Sequence, residues 1–254
     1  MPRPKNQKKR SNEDDSSFYP ASKSNRRKVQ ENIYELFSDN ETSPIEKLIQ
    51  PLKALTIAQG QYIAAQKTAS IVFGIGSAGT GKSYVALALA CEQLLNKEIE
   101  KIIVTRPMVE TGAKIGALPG TMLEKYTPYM APLLSILKER LGKTKMLYYL
   151  KHEKIQEIPL EFMRGMTFND AVVILDEAQN STIEQMKMFL TRIGKNCRFV
   201  INGDDQQSDI RGTSGLVDAV KRLQSIKNII TVSFTEEDIV RNELIKNILI
   251  AYRK

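Results

Sequence analysis

Residues 71–90 read Ile-Val-Phe-Gly-Ile-Gly-Ser-Ala-Gly-Thr-Gly-Lys-Ser-Tyr-Val-Ala-Leu-Ala-Leu-Ala. An apolar run of strand character, Ile71–Ile75, enters a glycine-rich turn, and helix formers with small alanines leave it. Between them, Gly76 to Ser83 fit the pattern G-x-x-x-x-G-K-[ST]. The pattern answers a problem of charge. A nucleoside triphosphate brings several negative charges that must be held without water and without steric conflict. Gly76, Gly79 and Gly81 let the backbone turn sharply, so that Gly76, Ser77, Ala78, Gly79, Thr80 and Gly81 aim N–H groups inward at the phosphates. The following helix adds the positive end of its dipole. Lys82 is placed to reach the β- and γ-phosphate oxygens, and the Ser83 hydroxyl to ligate Mg²⁺.

A second block completes the chemistry. Residues 171–180 read Ala-Val-Val-Ile-Leu-Asp-Glu-Ala-Gln-Asn, an apolar run that delivers two carboxylates at its end. Asp176 should hold Mg²⁺ through its water shell, and Glu177 should orient and polarise an attacking water. Taken alone, the block is also a strand followed by a helix cap, since Asp and Asn are favoured there. Its pairing with the glycine loop favours the acid pair. Residues 201–207, Ile-Asn-Gly-Asp-Asp-Gln-Gln, read either as a turn or as a γ-phosphate sensor, with Gln207 as the sensing group. The G-D-x-x-Q run resembles a helicase-like pattern, and that resemblance favours the sensor. Upstream, Gln59 offers both a donor and an acceptor, which match the adenine edge and give a reason to prefer ATP over GTP.

Five apolar runs are expected as strands: Ile71–Ile75, Lys101–Thr105, Val172–Leu175, Arg198–Ile201 and Ile229–Val232. Helical patterns cover Lys82–Asn96, Thr121–Leu141, Thr182–Arg192, Gly215–Leu223 and Glu236–Tyr252, with a short helix inside 31–50. Alternating strands and helices predict an α/β fold: a mainly parallel sheet flanked by helices, with ligands at the carboxyl ends of the strands. The expected organisation is an extension over 1–50 and one nucleotide-binding domain over 51–254.

Composition narrows the function classes. Among residues 1–30 there are nine Lys or Arg against three Asp or Glu, so most of the formal charge of +8 belongs to this arm. So polar a segment is expected to be disordered, and either to touch nucleic-acid phosphates or merely to solubilise. No apolar run approaches the ~20 residues that span a bilayer, and the N-terminus has no signal-peptide core. Cys91 and Cys197 each sit in an apolar segment, which predicts reduced thiols and a cytoplasmic protein. His152 is the only histidine. That removes multi-histidine zinc sites and argues against a His-based triad.

From about Gln59 to Tyr252 the chain resembles the PhoH family of phosphate-starvation-inducible ATPases. The resemblance is carried by the 74–83 loop and by Thr105-Arg106-Pro107, Leu118-Pro119-Gly120, Pro128-Tyr129 and Pro132-Leu133. It continues through Met163-Arg164-Gly165, Leu175–Asn180, Gln185–Arg192, Ser214-Gly215-Leu216 and Asp238-Ile239-Val240-Arg241. It implies a P-loop NTPase domain, RecA-like and similar to the first motor domain of superfamily 1 helicases, acting on RNA in at least some members. Departures at Ala113, Ala117 and Met166 concern the substrate side rather than nucleotide chemistry. No nuclease acids accompany the motor-like blocks, so RNA cleavage is not expected.

In helicase-like domains the position of Arg106 faces the polynucleotide, where it can pair a phosphate; Arg164 is a second candidate. The stretch from Pro107 to Asp170 exceeds what a crossover needs and is expected to form a substrate-facing insertion. Tyr126, Tyr129, Tyr148 and Tyr149 either stack on bases there or fill the core. One motor-like domain lacks a second moving surface. The resemblance therefore implies a homo-oligomeric ring, with a hexamer as the expected size. Arg241, or secondarily Arg211, would act across a subunit boundary unless it caps a helix or pairs with Glu236 or Glu237. The leading expectation is a Mg²⁺-dependent ATPase coupled to RNA or single-stranded DNA. The alternative is a nonmotor switch in which ATP controls assembly or docking. A small-molecule kinase fits less well, because the acid pair favours water as acceptor.

Overall fold

The computed structural model describes residues 50–108, 122–210 and 212–240. The arm over 1–30, the expected helix within 31–50, the final helix beyond Val240, and Ala113, Ala117, Arg211 and Arg241 lie outside the described residues.

Six strands form one sheet: β1 (Ile71–Gly76), β2 (Lys101–Thr105), β3 (Ile155–Glu157), β4 (Ala171–Leu175), β5 (Arg198–Gly203) and β6 (Ile229–Phe234). Their order is β3-β2-β4-β5-β1-β6, and every pairing is parallel. Period-two alternation sorts their side chains onto two faces. On one face, Val72, Ile102, Val104, Val172, Ile174 and Val200 share a core with α1 (Ile57–Thr68), α2 (Lys82–Leu95), α3 (Met122–Leu141) and α4 (Lys143–Lys151). On the other, Phe73, Ile103, Val173, Leu175, Phe199 and Ile201 meet α5 (Ile183–Leu190) and α6 (Gly215–Leu223). Near-continuous apolar strands are what a sheet covered on both faces requires. The fold is that of a P-loop NTPase.

The expected strands are present, each within a few residues of its predicted bounds. The 107–170 stretch differs. Its described part is sheet and core rather than an appended insertion: α3 buries Met130, Leu133, Leu134 and Leu137 completely, and β3 extends the sheet beside β2. Pro128 and Pro132 lie inside α3. Each removes a helical N–H, and the apolar face that the helix buries offsets the loss. Tyr126 is a core residue, whereas Tyr148 is exposed and stacks near His152 with centroids 4.2 Å apart. Three strand residues are too short a run for periodicity to reveal, and α1, α4 and β3 were not anticipated. The two cysteines are free, and burial pushes the Cys91 thiol up to about 12 and that of Cys197 up to about 11. Among the described residues, no helix is long and apolar enough to cross a membrane.

Glu157, the last residue of β3, carries two carboxylate oxygens with no hydrogen-bond partner among the described residues, and burial raises its pKa to about 8. The unfolded chain gives up this proton near pH 4.5, whereas the folded chain keeps it up to about pH 8. Stability should therefore fall between those values, by at most about 1.4 kcal/mol per pH unit, and level off above. Urea denaturation of wild type and Glu157→Gln at about pH 5, 6.5 and 8 checks this. The variant should lose that slope and gain on wild type as pH rises.

Candidate active site

The strand order sets the site. β5 lies between β4 and β1, so the loops leaving β1, β5 and β4 emerge side by side at the carboxyl edge, with Ile75 opposite Gly203 and Ile201 opposite Leu175 in register. The glycine loop, residues 202–205 and the acid pair are thereby brought together from distant stretches of sequence.

Gly76, Gly79 and Gly81 all take positive φ, and at Gly76 and Gly81 a Cβ would also meet a neighbour. Gly76 has φ of +134°, and a Cβ there would run into the Phe234 carbonyl oxygen. Gly81 has φ of +86° and is the N-cap of α2; a Cβ there would lie 2.8 Å from Gln59 Nε2. No side chain caps α2, so its first N–H groups are presented by the loop itself. Lys82 Nζ curls back over the loop, donating to the carbonyls of Gly76 (2.6 Å) and Ser77 (2.8 Å) and to Thr80 Oγ1 (3.3 Å). Burial lowers its pKa, while Asp204, Asp176, Glu177 and Asp205 act in the opposite direction. This cation stands among four acids.

Ser83 Oγ donates to Asp176 Oδ1 at 2.5 Å, joining the two predicted metal-site residues across 93 positions of sequence. A hydroxyl and a carboxylate side by side form a hard-oxygen donor set suited to Mg²⁺. Glu177 follows in the left-handed region at φ of +55°, and its side chain is exposed beside the loop. Gln179, which the sequence reading passed over, donates from Nε2 to Glu177 Oε2 at 2.7 Å and accepts the Asp204 N–H on Oε1 at 3.1 Å. A Cβ on Gly203 would come within 2.8 Å of that same Oε1. The signal was present in the Asp-Glu-Ala-Gln run, two residues beyond the acid that Gln179 holds. Gln207, the expected sensing group, is exposed, with its backbone N–H on the Asp204 carbonyl at 3.4 Å.

Gln59 is buried beneath the loop. Its Nε2 donates to the Thr80 carbonyl (3.0 Å), and its Oε1 accepts from the Leu55 N–H (2.8 Å). One end of the amide expected at the adenine edge thus braces the loop and the other holds the backbone before α1, so base reading would require exchanging one of these bonds. Nearby, the Tyr62 hydroxyl donates to Asn202 Oδ1, tying α1 to the end of β5. Burial, then Asp176, pushes the Tyr62 pKa well up, so the phenol remains a donor. After β6, the Val240 N–H donates to the Gly79 carbonyl at 3.1 Å. Burial of Asp238 works against its charge, but bonds from Thr235, Thr56 and the Ala58 backbone prevail and hold the carboxyl below its usual range.

The two expected polynucleotide contacts are placed differently. Arg106, at the end of β2, directs its guanidinium onto Asp176, with Nη2 at 2.5 Å and Nε at 3.1 Å from Oδ2. Arg164 is exposed on a turn after Met163, beside Gly165 with φ of +79°.

A family model described as PhoH-like protein matches residues 51–253. The chain belongs to the PhoH family. It is 44% identical over 206 residues to Protein PhoH of Escherichia coli K12, covering 80% of this chain and 58% of that protein. The PhoH-like protein of Bacillus subtilis is 45% identical over 205 residues, covering 80% and 64%. The chain thus matches less than two thirds of the length of these relatives. Among solved structures, similarity is found to the large terminase from a thermophilic bacteriophage, with a TM-score of 0.49, 14% identity, and 76% and 49% of the two chains covered. Pif1 helicase from Candida albicans gives a TM-score of 0.37, 18% identity, and 72% and 41%.

Removing the Tyr62 hydroxyl tests the α1–β5 tie. Asn202 Nδ2 has no partner among the described residues, and Tyr62→Phe would take the Tyr62 donor from Oδ1 as well. The variant should lose about 1–3 kcal/mol of stability, read as a shift in the urea midpoint at unchanged m-value.

Proposed function

We propose that this chain is a Mg²⁺-dependent ATPase coupled to RNA or single-stranded nucleic acid. The observation that carries the hydrolytic reading is the convergence of Lys82, the Ser83–Asp176 pair and the Gln179-held Glu177 on one side of a single glycine loop. Backbone N–H groups of 76–81 and the α2 N-terminus would hold the β- and γ-phosphates, with Lys82 exchanging its loop carbonyls for phosphate oxygens. Ser83 and Asp176 would hold Mg²⁺, whose chemistry here is to neutralise charge developing on the phosphates. Glu177 would orient and polarise the attacking water. Gln179 fixes the direction of that carboxylate, and through the Asp204 N–H it ties the acid to the loop after β5, where Gln207 would sense the γ-phosphate.

Nucleic-acid coupling is supported by the basic arm over 1–30, by Arg164 on an exposed turn, and by the family likeness to helicase-type motors. A homo-oligomeric ring, with Arg241 reaching a neighbour's nucleotide, belongs to the same reading, as does a reducing cytoplasmic setting for the free thiols. In the second reading, nucleotide binding controls assembly or docking and hydrolysis only resets it. Polynucleotide stimulation separates the two. Phosphate release measured with RNA, single-stranded DNA, duplex or none, beside the assembled mass, should show stimulation by at least one single strand. Equal rates in all four would favour the switch.

Glu177→Gln should keep ATP binding while slowing turnover by about tenfold or more, and Lys82→Ala should weaken both. Gln179→Ala should lower kcat by about tenfold with a smaller effect on nucleotide affinity, since it releases both the Glu177 carboxylate and the Asp204 N–H. Unaltered turnover in Glu177→Gln would remove the water-orienting role.

A further inference from the structure

Asp176 is almost wholly buried, and both of its oxygens are engaged. Oδ1 accepts from the Ser83 hydroxyl, and Oδ2 takes two guanidinium nitrogens of Arg106. The third nitrogen, Nη1, donates to the Tyr129 carbonyl of α3 at 2.7 Å, and the Arg106 backbone N–H donates to the Tyr126 hydroxyl at 2.9 Å. A single arginine therefore joins the carboxylate of the candidate metal site to α3. Burying an unpaired carboxylate is costly, and a planar guanidinium on one oxygen relieves that cost well. Two guanidinium N–H groups already occupy both lone pairs of that oxygen, so a hydrated divalent cation that uses it must displace at least one of them. Arginine cannot yield by losing its proton.

We propose that Arg106 is a displaceable counter-ion of Asp176: the guanidinium and Mg²⁺ compete for one carboxylate oxygen, so that metal–nucleotide loading turns Arg106 out of the site and breaks its tie to Tyr129. This rests on the Mg²⁺–nucleotide reading above and adds to it a route from the metal site to α3. Exchange costs little in charge, because one cation replaces another at the buried acid. The signal that leaves the site is positional: a side chain that braced α3 no longer does so.

The test is a Mg²⁺ titration of the full chain holding a fluorescent ADP analogue, for wild type, Arg106→Gln and Arg106→Lys. Competition predicts that Arg106→Gln raises the apparent Mg²⁺ affinity by about fivefold or more, with Arg106→Lys between it and wild type. Affinity for the analogue in EDTA should stay within about twofold across the three proteins. An unchanged or weaker Mg²⁺ affinity in Arg106→Gln overturns the proposal. Should that variant fold poorly, wild type answers through arginine-directed modification with phenylglyoxal, read by peptide mass spectrometry. Arg106 should become about threefold more reactive with ADP and Mg²⁺ than with ADP and EDTA. Equal reactivity overturns the proposal. Failure of the analogue to bind under any condition would sink the nucleotide reading and the competition together, whereas binding with Mg²⁺ affinity indifferent to Arg106 sinks only the competition.

Discussion

The inner strands of a parallel sheet buried on both faces satisfy their backbone along their length and leave polar groups open at their ends. The polar groups of the candidate site gather at one such end. With β5 between β1 and β4, three loops from distant sequence are forced into neighbouring exits, and their side chains meet because the strands beneath them are in register. The ties between α1, β5 and β6, made by Tyr62, Asn202, Phe234 and Gln59, then hold the glycine loop in one shape. Without that strand order the same motifs would be unrelated fragments.

The edge is also a place of balanced charge. Lys82 and Arg106 stand among Asp176, Glu177, Asp204 and Asp205, and the two cations are held in contrasting ways. Lys82 is held by neutral carbonyls, whose oxygens it can trade for those of phosphate at modest cost. Arg106 is held by an acid. The site thus keeps one cation ready to receive an anion and another that neutralises the buried carboxylate.

Much of this was legible from residue order. The loop at 76–83 and the acids at 176–177 carry chemistry in residue types that few other arrangements would use, and long apolar runs reported β1, β2, β4, β5 and β6. What escaped were features whose cause lies in tertiary packing. β3 is three residues long, and only its pairing with β2 makes it a strand. The run before the glycine loop, with its alanines and glutamines, lacks a strong apolar stripe, so α1 went unnoticed although Thr56 caps it. Gln59 reads as a donor and acceptor for the adenine edge, but spacing cannot say which groups will take up those bonds, and here they are Thr80 and Leu55. Gln179 was missed for the complementary reason. Its neighbour Glu177 bends into the left-handed region, and that bend brings a residue two positions onward back against its carboxylate.

The amide of Val240 on the carbonyl of Gly79 couples the backbone after β6 to the glycine loop. A hydrogen bond near 3 Å weakens within a few tenths of an ångström, so this junction moves with the cradle or breaks. A displacement of the turn is therefore felt at a residue more than 150 positions away in sequence, outside the cradle itself.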